Sequence, residues 1–360
     1  MSINIPERIK RLKPYVTENL FHESSGNQLK MDWNEYLGPC NDFIDKKIVE
    51  VLNSKKGRPN YYADLQCKTL KKRISDFVGI DGENINVYNG SDSALENIYK
   101  TFLGQKDRVV IVGPTYDNAR SLSQYYTDSP PEILLFDSPF EVEINNLENL
   151  NDPKCVYICN PNNPTGRMFT KEQISDFVTR LASTIFIIDE AYIEFAGGSI
   201  SDLCKKYNNL IVVRTFSKAF GIAGLRLGYT ISSTFLSNHL SKTRNGKEVN
   251  SLAQAAGIAC LENINYTYDY IEEVKKSRSY TIKSLSHLGY DCIDTKGNFI
   301  LIKVRKPNDF VLSLRQQHIL VRDVSKLPQM NGYVRITIGS RDKMELFVEK
   351  VKVLARKTLT

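Results

Sequence analysis

The sequence predicts an α/β fold, in which a three-layer αβα arrangement is built on a mostly parallel sheet and is accompanied by a smaller α+β domain. In the middle of the chain, short β-rich apolar runs bounded by Gly, Pro or Asn alternate with amphipathic helical patterns. Such runs are typical of strands buried on both faces, and their alternation with helices favours a parallel sheet covered on both sides. Towards the C-terminal end this alternation gives way to a mixed order of strands and helices.

The individual elements follow from these patterns in chain order. The predicted strands of the large sheet are Val109–Val112, Ile133–Phe136, Cys155–Cys159, Ile185–Asp189 and Leu210–Arg214. Helical spacing predicts helices at Leu95–Phe102 and Ile174–Leu181, the second preceded by a capping-box pair, Thr170 and Gln173. The predicted C-terminal elements are strands Gly297–Val304, Ile319–Val324 and Tyr333–Gly339 and helices Asp309–Ile319 and Lys343–Arg356. We therefore predict an N-terminal segment (residues 1–35) packed on a small domain (286–360), and a large domain (36–285).

Composition excludes several classes of protein. The 360 residues are 41% hydrophobic and 25% charged, which is ordinary for a globular protein and unlike disordered or collagen-like chains. The formal net charge is +7, but no basic stripe interleaved with aromatic residues occurs, which argues against nucleic-acid binding. The scattered charge is typical of a solvated surface, with attraction of anionic phosphates and carboxylates as the alternative.

Cysteine usage and the first residues predict a cytoplasmic protein. The seven cysteines, among them Cys40, form no CxxC pair or Cys/His cluster, which favours a reducing compartment and no metal site. The opening MSINIPERIKRLKPY lacks the apolar core of a signal peptide. No apolar run reaches the roughly 18 residues of a membrane span, so no membrane contact is expected.

A lysine, Lys218, follows the predicted strand Leu210–Arg214. Ligands of open α/β sheets bind beyond the carboxyl ends of the strands. An amine there can be partly desolvated, which lowers its pKa and makes it nucleophilic. A single lysine is usually a solvated surface residue, but Thr215, Ser217 and Arg226 supply hydroxyl and guanidinium groups suited to a phosphate beside it.

The predicted strand Ile185–Asp189 ends in a carboxylate, and Tyr192 follows three positions later. A buried carboxylate needs a cationic or hydrogen-bonding partner to offset its desolvation. A helix cap or a structural ion pair would meet this need. The functional alternative is a pyridinium nitrogen that Asp189 keeps protonated, with Tyr192 donating to the phenolate oxygen of the same ring.

Three further motifs stand at strand ends or helix starts. The Asn160–Gly166 segment (NPNNPTG) makes a turn, and Asn163 within it could present its amide to the same phenolate oxygen. Gly90–Asp92 opens a predicted helix, where free N–H groups form an anion site unless the helix start is simply capped. Tyr116 follows a predicted strand and offers an aromatic face for stacking.

With these residues in place, the chain resembles the fold-type I, class I/II aminotransferases, which depend on pyridoxal 5'-phosphate (PLP). Within them it looks most like the histidinol-phosphate aminotransferase subfamily. The motifs that carry the resemblance occur in the order GSD, PTY, NPNNPTG, DEAY, TFSKAFGIAGLRLGY and RITIG. Each is only suggestive alone, but together and in this order they are highly specific.

The resemblance implies a role for each matching residue. Lys218 would carry PLP as a Schiff base and act as general base and acid, and Asp189 would pair with the pyridine nitrogen. Tyr192 and Asn163 would bind the 3'-oxygen, and Tyr116 would stack on the ring. The residues implied to hold the cofactor phosphate are Ser91, Asp92, Thr215, Ser217, Arg226 and, reaching in from a partner subunit, Tyr62. A composite site of this kind makes a homodimer expected.

The resemblance also implies substrate-binding residues. Arg335 matches an arginine that grips the substrate carboxylate at two points, Arg322 matches a second substrate arginine, and Asn34 stands in the family's Asn-Glu-Asn-Pro segment. Two such cations suit L-glutamate as amino donor and a small phosphorylated acceptor, such as dihydroxyacetone phosphate or imidazole-acetol phosphate. Where the family usually has Pro-Tyr-Asn, this chain has Arg244–Asn250 (RNGKEVN), so the acceptor stays open. That segment is expected to line the substrate side.

Three other functions are compatible with parts of the sequence. A PLP-dependent phosphoserine or phosphothreonine decarboxylase would share these motifs, because the binding pose selects which bond at Cα reacts. A PLP-sensing regulator would need a fused DNA-binding module, for which the chain has no room. A nicotinamide dehydrogenase would need GxGxxG after a strand, and Gly221, Gly224 and Gly228 have another spacing. The aminotransferase is the favoured prediction.

Overall fold

The computed structural model describes residue 3 and residues 5–12, 28–39, 41–54, 60–143 and 150–358, so Cys40 lies outside the described residues. The strands are β1 (Leu29–Met31), β2 (Ile85–Tyr88), β3 (Val109–Val112), β4 (Glu132–Leu134), β5 (Cys155–Cys159), β6 (Ile185–Asp189), β7 (Leu210–Thr215), β8 (Gly228–Ser232), β9 (Asp291–Ile293), β10 (Phe299–Lys303), β11 (Ile319–Asp323) and β12 (Tyr333–Thr337). The α-helices are α1 (Glu7–Lys10), α2 (Asp42–Asn53), α3 (Lys68–Val78), α4 (Ser91–Phe102), α5 (Asp117–Ser123), α6 (Lys171–Arg180), α7 (Ile193–Ala196), α8 (Thr234–Thr243), α9 (Ser251–Glu262), α10 (Ile264–His287), α11 (Pro307–Arg315) and α12 (Arg341–Thr358).

The large sheet has the strand order β2-β8-β7-β6-β5-β3-β4. Neighbouring strands from β4 to β7 run parallel, and β8 pairs antiparallel with β7 and with β2. Side chains of β3 alternate between two apolar layers: Val110 belongs to the layer that contains Ile74 of α3, and Ile111 belongs to the layer on the other face that contains Leu95 of α4. Helices therefore cover both faces, which confirms the predicted three-layer, mostly parallel architecture.

A second, smaller sheet has the order β1-β11-β12-β10-β9. β1 pairs parallel with β11, and the other neighbours are antiparallel. Its core contains Met31 of β1, Ile300 of β10, Val321 of β11 and Phe347 of α12. The N-terminal and C-terminal parts of the chain therefore share one apolar core.

The packing of residues 1–35 on the small domain stays a prediction, and the described residues of this segment contact both the small sheet and a loop of the large domain. Residues 29–31 join the small sheet through β1, as expected. By contrast, the side chain of Arg8 donates to the carbonyl oxygen of Tyr125, and that of Arg11 donates to those of Thr127 and Asp128. These carbonyls follow α5 and precede β4 of the large sheet, so residues 7–12 dock there by satisfying backbone acceptors that the loop leaves open.

The division at residue 285 stays a prediction, but packing favours an earlier boundary. The long helix α10 buries Tyr270, Ile271, Val274 and Leu285 in the core of the small sheet. We propose that the boundary lies near the start of this helix. An apolar stripe at helical spacing shows that a helix packs, but not which of two sheets it packs against.

For two predicted elements, strand pairing and helix-end conformation explain why the ends in the structure differ from the predicted ones. The strand predicted at residues 133–136 spans Glu132–Leu134, because its neighbour β3 pairs only with those residues. The helix predicted at residues 309–319 spans Pro307–Arg315, since proline suits the first helical position and His318, with φ +60°, leaves the helical conformation before β11. The capping box of Thr170 and Gln173 is present as predicted.

Among the described residues, no helix combines the length and apolarity that crossing a bilayer requires.

Candidate active site

The carboxyl edge of the large sheet brings the predicted site residues into one region. Asp189 is the last residue of β6, Thr215 is the last residue of β7, and the Asn160–Gly166 turn follows β5 directly. Tyr116 lies beyond the end of β3, at the start of α5. Since β3, β5, β6 and β7 are parallel neighbours, these positions meet at the same edge of the sheet.

Lys218 lies in the turn after β7, and its side chain is half-buried. Its Nζ donates a 2.8 Å hydrogen bond to the carbonyl oxygen of Trp33 and lies 5.8 Å from the centre of the Tyr192 ring. Burial, with a smaller effect of the nearby Arg335 guanidinium, lowers the pKa of Lys218 from 10.5 to about 8. An amine with this pKa is partly uncharged near neutral pH and can act as a nucleophile and as a proton acceptor.

Asp189 is buried and hydrogen-bonded through both carboxylate oxygens. Oδ2 accepts a 2.7 Å hydrogen bond from the hydroxyl of Tyr157, and Oδ1 accepts a 3.0 Å bond from the backbone N–H of Ala191. Burial raises the pKa of Asp189 from 3.8 to about 6, against the lowering effect of these two bonds. A cationic partner would therefore stabilise the ionised carboxylate at this position.

This raised pKa predicts how the stability of the cofactor-free protein depends on pH. A carboxyl with a higher pKa in the folded state binds more protons there than in the unfolded state, so its contribution to stability falls as pH rises from about 4 to about 6. The difference between 3.8 and about 6 corresponds to about 3 kcal/mol of unfolding free energy. Urea unfolding at a series of pH values should show this loss, and Asp189→Asn should lack it. Parallel pH profiles for the two proteins would contradict the raised pKa.

Tyr192 is the centre of a buried hydrogen-bond chain. Its hydroxyl oxygen accepts from Nδ2 of Asn34 at 3.0 Å and from Nδ2 of Asn163 at 3.1 Å. Oδ1 of Asn163 in turn accepts from Nη1 of Arg335 at 2.6 Å. Burial raises the pKa of Tyr192, so the phenol keeps its proton. That proton has no acceptor in the described part of the chain and is available to an oxygen atom of a bound molecule.

The first turn of α4 and the turns after β7 form an anion cradle, which we define as Gly90, Ser91, Asp92, Ser217 and Arg226. Gly90, the N-cap of α4, has no side chain that could cap the first amides of the helix. Nη1 of Arg226 lies 3.4 Å from Oγ of Ser217, and Nη2 lies 3.2 Å from Oδ2 of Asp92. Gly90 has φ +88°, a backbone conformation that favours glycine, and a Cβ there would lie 2.7 Å from Nη2 of Arg226, so a larger residue would displace the guanidinium. Amides, a hydroxyl and a guanidinium together match the acceptor oxygens of a phosphate group.

Two other predicted residues support the anion cradle. Oγ1 of Thr215 accepts a 3.1 Å hydrogen bond from the backbone N–H of Ser217, which holds the turn after β7. The hydroxyl of Tyr116 donates a 3.0 Å hydrogen bond to Oδ1 of Asp92, which fixes the tyrosine beside the first turn of α4. The structure thus places Tyr116 beside the region expected to hold a cofactor.

Two arginines of the small sheet face each other across β11 and β12. Arg322 and Arg335 are directly opposite in the register, so their side chains emerge on the same face. Arg335 is 8% exposed, and burial together with the charge of Arg322 lowers the pKa of Arg335. Nη2 of Arg335 donates to the carbonyl oxygen of Asp32, while its buried Nε has no partner among the described residues. Like charges at opposite positions are destabilising unless an anion joins them, so this pair is suited to bind an anionic ligand.

Tyr62 is a predicted cofactor residue whose side chain lies at the surface of the chain. Its side chain is 77% exposed, and Nζ of Lys247 lies 4.5 Å from the centre of its ring. The Arg244–Asn250 segment, expected to line the substrate side, lies beside the start of α4. There Glu248 accepts from the hydroxyl of Ser93, while Arg244 donates to backbone carbonyls outside the site.

Sequence reasoning missed two contacts of the central groups. The carbonyl oxygen of Trp33 holds the amine of Lys218, and the sequence carries no signal for a backbone contact between residues so far apart. Tyr157, which bonds to Asp189, could have been found, because a phenol inside the apolar run Cys155–Cys159 needs a buried hydrogen-bond partner.

These residues fit PLP. The anion cradle supplies donors for its phosphate, Asp189 supplies a buried carboxylate for its ring nitrogen, and Lys218 supplies an amine for its carbonyl carbon. The proton of Tyr192, which has no acceptor in the described part of the chain, suits the phenolate oxygen of the same molecule.

Comparisons with known proteins agree with this site. Residues 26–351 match the family described as aminotransferase class I and II. The chain is 36% identical over 361 residues to a dihydroxyacetone phosphate transaminase of Campylobacter jejuni, covering 98% of this chain and 97% of the relative. It is 33% identical to a histidinol-phosphate aminotransferase of Brachyspira hyodysenteriae, covering 98% and 99%. A solved histidinol-phosphate aminotransferase of Sinorhizobium meliloti, in complex with pyridoxal-5'-phosphate, superimposes with a TM-score of 0.86 at 22% identity over 99% of both chains.

Proposed function

Because the chain belongs to the class I and II aminotransferase family and is a PLP-dependent aminotransferase, we propose that it moves an amino group between L-glutamate and a small phosphorylated carbonyl compound. The observation that carries the proposal is the pair of arginines, Arg322 and Arg335, which face each other across two strands. One arginine suits the carboxylate of an amino donor, and the second suits the phosphate of an acceptor.

The residues of the chain have separable tasks in this reaction. Bound PLP supplies an electron sink that weakens the bonds at the α-carbon of the substrate. Nζ of Lys218, with its pKa of about 8, takes up and returns the proton of that carbon near neutral pH. Arg335 holds the substrate carboxylate and so fixes which α-carbon bond is exposed to reaction. Asn163 bonds to both Arg335 and Tyr192. These bonds fix the position of the substrate-binding arginine relative to the tyrosine of the cofactor site.

We propose two phosphorylated compounds as candidate amino acceptors. Dihydroxyacetone phosphate is the substrate named for the Campylobacter jejuni relative, and imidazole-acetol phosphate is the keto form of the substrate named for the Brachyspira hyodysenteriae relative. The small sheet offers the same arginine pair to either compound, because both combine a carbonyl group with a phosphate. A phosphoserine or phosphothreonine decarboxylase remains the alternative that the test below includes.

The test loads the purified enzyme with an amino group and then offers acceptors. The holo-protein is incubated with L-glutamate, freed of small molecules and given dihydroxyacetone phosphate, imidazole-acetol phosphate or unphosphorylated dihydroxyacetone. We expect stoichiometric amination of a phosphorylated acceptor at a rate about tenfold or more above that of the unphosphorylated one, the loss that follows from one missing charged contact. Equal rates would contradict a phosphate site. For the alternative, the holo-protein is given phosphoserine or phosphothreonine alone, and carbon dioxide release without a keto acid would favour the decarboxylase.

A homodimer and a cytoplasmic location are part of the same proposal. The exposed Tyr62 and the neighbouring Tyr61, which is 60% exposed, support a surface that a second copy of the chain covers. Light scattering that finds only monomers at micromolar concentration would contradict the dimer. The cysteines in the described part of the chain are free thiols, which supports a reducing compartment.

A further inference from the structure

Tyr157 is a fully buried phenol in the central strand β5 of the large sheet. It shares a face of that strand with Cys159, whose partner in the register on β6 is Asp189. The hydroxyl of Tyr157 donates a 2.7 Å hydrogen bond to Oδ2 of Asp189. Tyr157 packs in the apolar layer beneath the site, with Ile187 and Val213, and no sequence motif of the site includes it.

The position of Tyr157 matters because Asp189 has few other donors. The second carboxylate oxygen accepts from one backbone N–H, that of Ala191, while burial and the nearby carboxylates of Asp92 and Glu190 disfavour the ionised form. An ionised carboxylate in such surroundings is stable only while donors or cations satisfy it. A short hydrogen bond from a neutral phenol to a carboxylate is charge-assisted, so it favours the ionised form over the protonated one.

We propose that Tyr157 is a positioning residue that keeps the Asp189 carboxylate ionised and fixed in orientation, and thereby tightens the binding of the cofactor. The inference rests on the proposed function, because it gives Asp189 its role toward the ring nitrogen of PLP. In this arrangement the hydroxyl of Tyr157 donates to Asp189 from within the apolar layer of the sheet.

The chain offers a matched control in Tyr99 of α4. Tyr99 is also fully buried, also belongs to the apolar layer that contains Tyr157, and feels the charge of Asp189. Its hydroxyl, however, has no hydrogen-bond partner among the described residues. Tyr99→Phe and Tyr157→Phe therefore make the same chemical change in the same layer, but only the second removes a bond to Asp189.

The experiment measures the PLP dissociation constant of the full-length protein together with the stability of the cofactor-free protein as a function of pH. Tyr157→Phe should weaken PLP binding by about tenfold or more, the loss expected for one hydrogen bond to a charged group, while Tyr99→Phe should leave it unchanged. Without this donor the carboxyl should bind its proton up to a higher pH. The unfolding free energy of Tyr157→Phe relative to wild type should therefore keep falling as pH rises above about 6, and that of Tyr99→Phe should not.

A double variant decides whether the effect passes through the carboxylate. In an Asp189→Asn background, Tyr157→Phe should cause neither the loss of PLP affinity nor the altered pH profile. Unchanged PLP binding and parallel pH profiles for Tyr157→Phe would overturn the inference, and so would equal losses in both backgrounds. If Tyr157→Phe fails to fold while the double variant folds, the coupling is supported; if neither folds, Tyr157 acts on the fold and the inference fails. Because PLP binding is measured without any amino acceptor, these outcomes are independent of the proposed reaction.

Discussion

Replacing Lys218 with alanine is expected to lower kcat by more than about 10⁴-fold, the upper range for a positioned general acid–base group. The variant loses both the amine that reacts with the cofactor carbonyl and the group that moves the substrate proton. The half-buried position and the pKa of about 8 make Lys218 suited to both tasks. The rate is measured as glutamate-dependent amination of the better phosphorylated acceptor, after folding is checked by circular dichroism.

A second lysine serves as the control for this substitution. Lys206 is exposed, and its Nζ lies 4.9 Å from the ring of Tyr207, outside the site. Lys206→Ala should keep the wild-type rate. If Lys218→Ala retained a rate within about tenfold of wild type, Lys218 would not be the reacting amine, and the assignment of the site would fail.

Arg335→Lys is expected to lower kcat/KM for L-glutamate by about 10²-fold. The substitution keeps the charge but removes the planar fork that can hold a carboxylate at two points and that also bonds to Asn163 and to the carbonyl oxygen of Asp32. A loss near 3 kcal/mol, typical of a strong bond between charged groups, corresponds to this factor. Steady-state kinetics with glutamate and with a fixed acceptor give the value.

The matched control for Arg335 is Arg305, an exposed arginine two residues after the end of β10. Arg305→Lys should leave kcat/KM for glutamate unchanged. An Arg335→Lys enzyme with normal kcat/KM for glutamate would show that the substrate carboxylate binds elsewhere, and Arg322 would then become the candidate.

The central sheet could be predicted because its strands are short apolar runs buried on both faces. Three of the five predicted runs have the ends the structure gives, namely Val109–Val112, Cys155–Cys159 and Ile185–Asp189. The strand predicted at residues 133–136 has other ends in the structure. It is the edge strand β4, and its length is set by pairing with β3 rather than by its own composition. Packing between distant parts was harder to foresee: helical periodicity did not reveal that α10 joins the small sheet or that residues 7–12 dock beside α5.

The candidate site shows the same division between local and tertiary information. Asp189, Asn163 and Lys218 could be found because each lies at or shortly after the carboxyl end of a buried strand, and parallel strands bring their carboxyl ends together. Arg335 lies in β12 of the small sheet and Asn34 lies three residues after β1, and only the resemblance indicated that they belong here. The bond between Asn34 and Tyr192 joins residues 158 positions apart, which no local pattern encodes.

The central claim is that Lys218 carries the cofactor at the edge of the sheet where Asp189 ends a neighbouring strand. Sodium borohydride reduction of the holo-protein, followed by proteolysis and peptide mass spectrometry, tests it most directly. The account predicts that the cofactor-derived mass is found on Lys218 and disappears in Lys218→Ala. A label on another lysine, or no label on a protein that contains bound PLP, would contradict it.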